Sequence, residues 1–190
     1  MTAADLYGKH YHNRHKKQNA VRNSARTKRE GCTWTTGANG IMAATGGAKH
    51  PSPDTVLAQV PKSQETNPTT PGWSLPDLDL ACNRLGVDLL VLAGWDELRT
   101  WRNLGYYIAL QGDSDTFDVG CMSQFDGDHC IGIHPDESDG KWRVDDPLCP
   151  KATHRSPEKL REYAQKLADR EFGGIIRFGV FKPKVPLKHK

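Results

Sequence analysis

Apolar positions in this chain follow two periods. At helical spacing, Leu78, Ala81, Cys82 and Leu85 fall on one face of a segment opened by Leu75-Pro76-Asp77 and stopped by Gly86. Leu160, Tyr163, Ala164 and Leu167 do the same behind Ser156-Pro157-Glu158, an N-cap with proline at the first helical position. Trp95 to Trp101 predicts a further helix, stopped at Gly105, and Ser52-Pro53-Asp54 a short one. Short apolar or alternating runs predict strands at Val87 to Ala93, Tyr106 to Gln111, His129 to His134, Lys141 to Asp145 and Ile175 to Phe181.

Ahead of these, Thr33 to Thr45 is rich in small residues and ends at Gly46-Gly47, which predicts a helix with a glycine stop. Its internal Gly37 and Gly40 lower helix propensity, so burial against a partner must support it. Pro61 to Gly72 predicts a polar, proline-rich loop. Helices first and an antiparallel sheet afterwards define an α+β chain, without internal repeats.

A length of 190 residues fits one domain with appendages. The expected division is a basic arm over residues 1–20, a domain over 21–181 and a basic tail over 182–190. No run approaches a membrane span, and Met1-Thr2-Ala3-Ala4-Asp5 leads into polar, basic sequence, so the expectation is synthesis in the cytoplasm without a signal peptide. Five cysteines, an odd number without regular spacing, argue against a full disulfide framework and for at least one free thiol. Cys82 reads as a buried structural thiol, while Cys121, Cys130 and Cys149 stay open.

Charge divides the chain. Residues 1–31 hold eight basic against two acidic side chains, a net of +6, whereas residues 111–146 hold two basic against ten acidic, a net of −8. The arm, with Tyr7, His10, Tyr11, His12 and His15 among its basic residues, suits docking on an acidic protein surface better than nucleic acid.

Three residue types occur in an order that chemistry can use: Cys32 after Gly31 at a helix start, His129 opening a strand, and Asp145-Asp146-Pro147 closing the next. A thiol nucleophile needs a base to take its proton and a third group to orient that base. A helix N-terminus and a neighbouring imidazolium both favour thiolate. A lone cysteine without such company is more often a small buried hydrophobe. His134, before Pro135, reads as a loop histidine. Zinc is disfavoured, because adjacent His129 and Cys130 on a strand cannot both face one ion and no Cys-x-x-Cys pair exists. Asp113-Ser114-Asp115 and Asp136 to Gly140 lack EF-hand spacing and read as acidic turns.

With Phe125-Asp126-Gly127-Asp128-His129-Cys130-Ile131-Gly132-Ile133 and Val144-Asp145-Asp146-Pro147, the chain resembles papain-like cysteine peptidases. More narrowly it resembles the bacteriocin-processing, double-glycine branch and its phage-encoded relatives. The Trp95-Asp96-Glu97-Leu98 and Tyr107 to Gly112 segments resemble the region before the histidine, and the likeness spans roughly residues 20–181. The resemblance implies a papain-like fold and amide hydrolysis with Cys32 as nucleophile, His129 as base and Asp146 as orienting acid, Asp145 being the alternative. It implies no metal or cofactor, a peptide or host cell-wall peptide as substrate, and a phage tail or lysis setting with tail proteins as partners of the arm. One departure stands out: where the family places an oxyanion glutamine, about six residues before the cysteine, this chain has Arg26, leaving Asn23 or Gln18 as substitute donors. That departure favours the alternative of a virion structural protein built on the same fold.

Overall fold

The computed structural model describes residues 31–60, 75–113, 128–149 and 151–184. In chain order the elements are α1 (Cys32–Ala44), α2 (Pro53–Leu57), α3 (Leu75–Arg84), β1 (Val87–Ala93), α4 (Trp95–Asn103) and β2 (Ile108–Asp113). There follow β3 (Asp128–Ser138), β4 (Lys141–Asp145), β5 (Thr153–Arg155), α5 (Pro157–Glu171) and β6 (Arg177–Pro183). The strands form one antiparallel sheet in the order β1-β6-β2-β3-β4-β5, and the fold is the expected α+β arrangement.

Alternation along the strands builds two cores. Ala109 on β2, Cys130 on β3 and Phe181 on β6 join α1 and α3 through Ala38, Ile41, Leu78 and Cys82. Residues of the opposite parity on the same strands, Ile108, Leu110, Ile131, Ile133, Phe178 and Val180, join α4 and α5 through Leu98, Leu160, Tyr163 and Ala164. All thirteen residues of α1 are buried. Its two glycines explain how: a Cβ on Gly40 would lie 2.4 Å from the Phe181 ring, and one on Gly37 would lie 2.5 Å from Leu78 Cδ1. The helix gives up propensity to press its backbone onto the sheet.

Both expected Ser-Pro starts are capped, Ser52 Oγ accepting from the Thr55 N–H at 3.0 Å and Ser156 Oγ from the Lys159 N–H at 3.3 Å. Several boundaries move. Strand β3 runs on to Ser138, because Asp139 (φ 54°) and Gly140 (φ 71°) make a two-residue hairpin turn of positive φ between Ser138 and Lys141. His134 therefore lies buried in a strand, not in a loop, its Nδ1 accepting from the Asp136 N–H at 3.2 Å. The last strand begins two residues later than expected and extends to Pro183, so Lys182 and Pro183 belong to the sheet instead of the tail. Strand β5 was too short to show a period. Asp113 is no turn residue: it ends β2, buried against Arg170 at 2.8 Å. The basic arm and the proline-rich loop fall outside the described residues.

The register of β3 against β4 shifts between Ile133 and Glu137. Irregular backbone there needs donors, and the buried Arg102 of α4 supplies them, reaching Pro135 O at 2.7 Å, Asp136 O at 3.1 Å and Glu137 Oε2 at 2.8 Å while stacking on Trp142. No helix among the described residues is long and apolar enough to cross a membrane.

Replacing Gly40 with alanine separates the two pulls on α1. Propensity alone would stabilise the helix, but the clash with Phe181 should win and lower unfolding stability by about 1–3 kcal/mol, read by urea denaturation.

Candidate active site

Pairing between β3 and β4 begins at Gly132 opposite Asp145, so His129 to Ile131 have β2 on one side and no β4 partner on the other. The N-terminus of α1 takes that edge. Thr36 Oγ1 donates to Cys130 O at 3.1 Å, and the Cys130 N–H points at Cys32 Sγ. Cys32 is the first residue of α1, behind Gly31 as N-cap, so the helix dipole begins at the thiol. The N-cap glycine offers the first turn no side chain. The turn's leading N–H groups have no partner within the helix, and the N–H of Cys32 itself is one of them.

The sheet brings His129 to this helix end. Its Nε2–H donates to Asp146 Oδ1 at 2.9 Å, which leaves Nδ1 as the ring nitrogen for the thiol, and Cys32 and His129 lie close enough for each to favour the other's charged form. Burial pushes the Cys32 thiol up, but His129, helped by the Cys130 N–H and Thr33, brings it below its ordinary value. Burial likewise opposes the imidazolium, yet Asp146 and Cys32 together raise His129 to about 9. Each group is held charged by the other, in a site where Cys32 is 6 % exposed and His129 is 1 % exposed.

Asp145 ends β4 and Asp146 lies just beyond it, and the two carboxylates take different partners. Asp146 Oδ1 accepts from both His129 and the Leu148 N–H, each at 2.9 Å, so a turn of backbone fixes the carboxylate that faces the ring. Asp145, the alternative acid, lies instead against Arg143, whose Nε–H donates to it at 3.4 Å, and against the Tyr107 hydroxyl. Arg143 also lies 3.7 Å from Asp136. Cys32, His129 and Asp146 are thus assembled in one place, and Asp145 is outside it. Asn23, Gln18 and Arg26 fall outside the described residues.

Two contributors had weak sequence signals. Tyr163 of α5 donates its hydroxyl to His129 O. Its ring lies so close to Gly112 that a Cβ there would be 2.3 Å away, and the glycine inside a strand was the available sign of a close approach. The other is Cys130, whose backbone faces Cys32 while its thiol stays buried. Cys32, Cys82 and Cys130 are free thiols, whereas Cys149, its Sγ 3.3 Å from Asp146 Oδ2, is disulfide-bonded. Among the described residues no group of three His, Cys, Asp or Glu side chains could hold a metal ion.

The two aspartates should separate in solution. Asp146→Asn should move the pH dependence of Cys32 alkylation upward, toward an ordinary thiol, because the imidazolium loses its carboxylate. Asp145→Asn should lower stability with little change in that profile. Iodoacetamide labelling against pH, with thermal melts of both variants, checks the pair.

No protein-family model matches the sequence, and no curated protein matches it. Solved structures do match by shape. A C39-like peptidase candidate from Bacillus anthracis superposes with a TM-score of 0.55 at 14% identity, over 80% of this chain and 88% of that one. The peptidase domain of Streptococcus ComA, a bifunctional ABC transporter of a quorum-sensing pathway, superposes with a TM-score of 0.51 at 14% identity, over 80% and 92%. The chain therefore carries the papain-like α+β fold of the C39-like peptidase structures.

Proposed function

We propose that this protein is a cysteine peptidase or amidase that cleaves a peptide or peptidoglycan amide bond through a thioester. The observation that carries the reading is the position of His129, bonded through Nε2 to Asp146 and within electrostatic reach of Cys32 at a helix N-terminus. In this scheme the Cys32 thiolate adds to the scissile carbonyl carbon, and the oxyanion takes hydrogen bonds from the Cys32 N–H and a second donor. The C–N bond then breaks as the His129 imidazolium gives its proton to the leaving amine. Neutral His129 next takes a proton from water, whose oxygen attacks the thioester; the carboxylic acid departs and Cys32 is regenerated. Asp146 holds the ring in the orientation that both steps need.

The resemblance to phage-encoded peptidases supports a virion protein or the host wall peptide as substrate, in a tail or lysis setting, with the basic arm of residues 1–20 as the contact to other tail proteins. Arg26, in the place of the family's oxyanion glutamine, favours a second reading: a virion structural protein that keeps the fold and the reactive thiol with little turnover.

Two measurements test the function. Alkylation of Cys32 should be fast well below the pH at which an ordinary thiol ionises, and His129→Ala should abolish that advantage; identical ordinary titration in both proteins would falsify the thiolate pair. Hydrolysis of a denatured protein or of purified peptidoglycan should follow a bell in pH, its upper limb falling as His129 loses its proton near 9, and Cys32→Ala should remove it. Fast alkylation without hydrolysis of either substrate would favour the structural reading.

A further inference from the structure

The mechanism leaves one nucleophile unused at the centre of the site. Cys130 follows His129 in β3, is a free thiol and is 0 % exposed. Its backbone N–H points at Cys32 Sγ, and its thiol lies against the hydroxyls of Thr36 and Thr33. Thr33 Oγ1 is itself 4.0 Å from Cys32 Sγ, so one hydroxyl sits beside both sulfurs. Thr36 Oγ1, one helical turn after Cys32, donates to Cys130 O at 3.1 Å, so the first turn of α1 is seated on the strand edge at Cys130. Both side chains belong to the same buried cluster, and the charge of Cys32 is felt at the Cys130 thiol. Cys82 offers the contrast: it is equally buried and free, but the charged neighbour at its thiol is Asp79, not Cys32.

We propose that Cys130 is a resolving cysteine for Cys32, closing a reversible disulfide when a hydroperoxide oxidises the nucleophile. This rests on the thiolate reading of Cys32 above. In the first step the thiolate attacks the terminal peroxide oxygen and the O–O bond breaks. Cys32 becomes a sulfenic acid, and the departing alkoxide or hydroxide takes the proton of the His129 imidazolium. In the second step the Cys130 sulfur attacks the Cys32 sulfur, the S–O bond breaks, and the hydroxide leaves as water with the Cys130 proton. A dithiol returns two electrons and two protons and restores both thiols. Burial keeps the Cys130 thiol protonated, so it does not compete with Cys32 for an amide substrate and reacts only once the neighbouring sulfur has become electrophilic.

The test treats the full chain with hydrogen peroxide, blocks remaining thiols in denaturant, and maps peptides by mass. Wild type should yield a linked pair carrying Cys32 and Cys130, lighter by two hydrogens and released by dithiothreitol. Cys130→Ala and Cys130→Ser should instead accumulate Cys32 sulfinic acid, at a rate about tenfold or more above wild type. Two variants guard against a packing defect in either, and circular dichroism reports their folding. Equal sulfinic acid in wild type and both variants, with fast alkylation of Cys32 intact, would overturn the resolving role alone. A Cys32 that neither oxidises nor alkylates in any of the proteins would remove the thiolate reading and this inference with it.

Discussion

The site depends on where β4 stops pairing with β3. Had the ladder continued past Gly132, the backbone of Cys130 would be spent on a strand, and α1 would have no edge to dock against. Because it stops there, Thr36 and Cys32 take the place of the missing strand. The chain leaving Asp145 is then free to turn, so that Asp146 faces His129. One break in pairing thus admits the helix and releases the carboxylate.

Around that break, burial and charge work against each other. Desolvation alone would leave a neutral thiol and a neutral imidazole, the ordinary fate of such groups in a core. The mutual attraction of thiolate and imidazolium, together with the Asp146 carboxylate, reverses the outcome, and each depends on the others. The Arg143, Asp145, Asp136 and Tyr107 group beside it is a second polar network, in which one guanidinium faces two carboxylates. It fixes the end of β4 without touching the ring. The two networks divide neighbouring carboxylates between chemistry and scaffolding.

Much of this was legible in residues. The Ser-Pro caps, the glycine stops after α3 and α4 and the apolar run of β1 are local signals, and local physics sets them. Cys32, His129 and Asp146 were legible as an ordered trio because thiol chemistry demands those types. What the sequence withheld is set at long range. The choice between Asp145 and Asp146 depends on Arg143 and Tyr107, one of them more than thirty residues away, and β5 exists because β4 offers it an edge. The burial of His134 follows from a hairpin turn five residues further on.

A helix buried on every side has no compliant face. Since α1 carries the thiol and is sealed by Phe181, Leu78 and Val56, it belongs to the part of the molecule that opens only when the whole molecule does. The Cys32 thiol is then held as firmly as the core, and its placement is not tuned by small local motions. Any selectivity this scaffold acquires must be written in what surrounds the thiol, because the element that bears it tolerates almost no change.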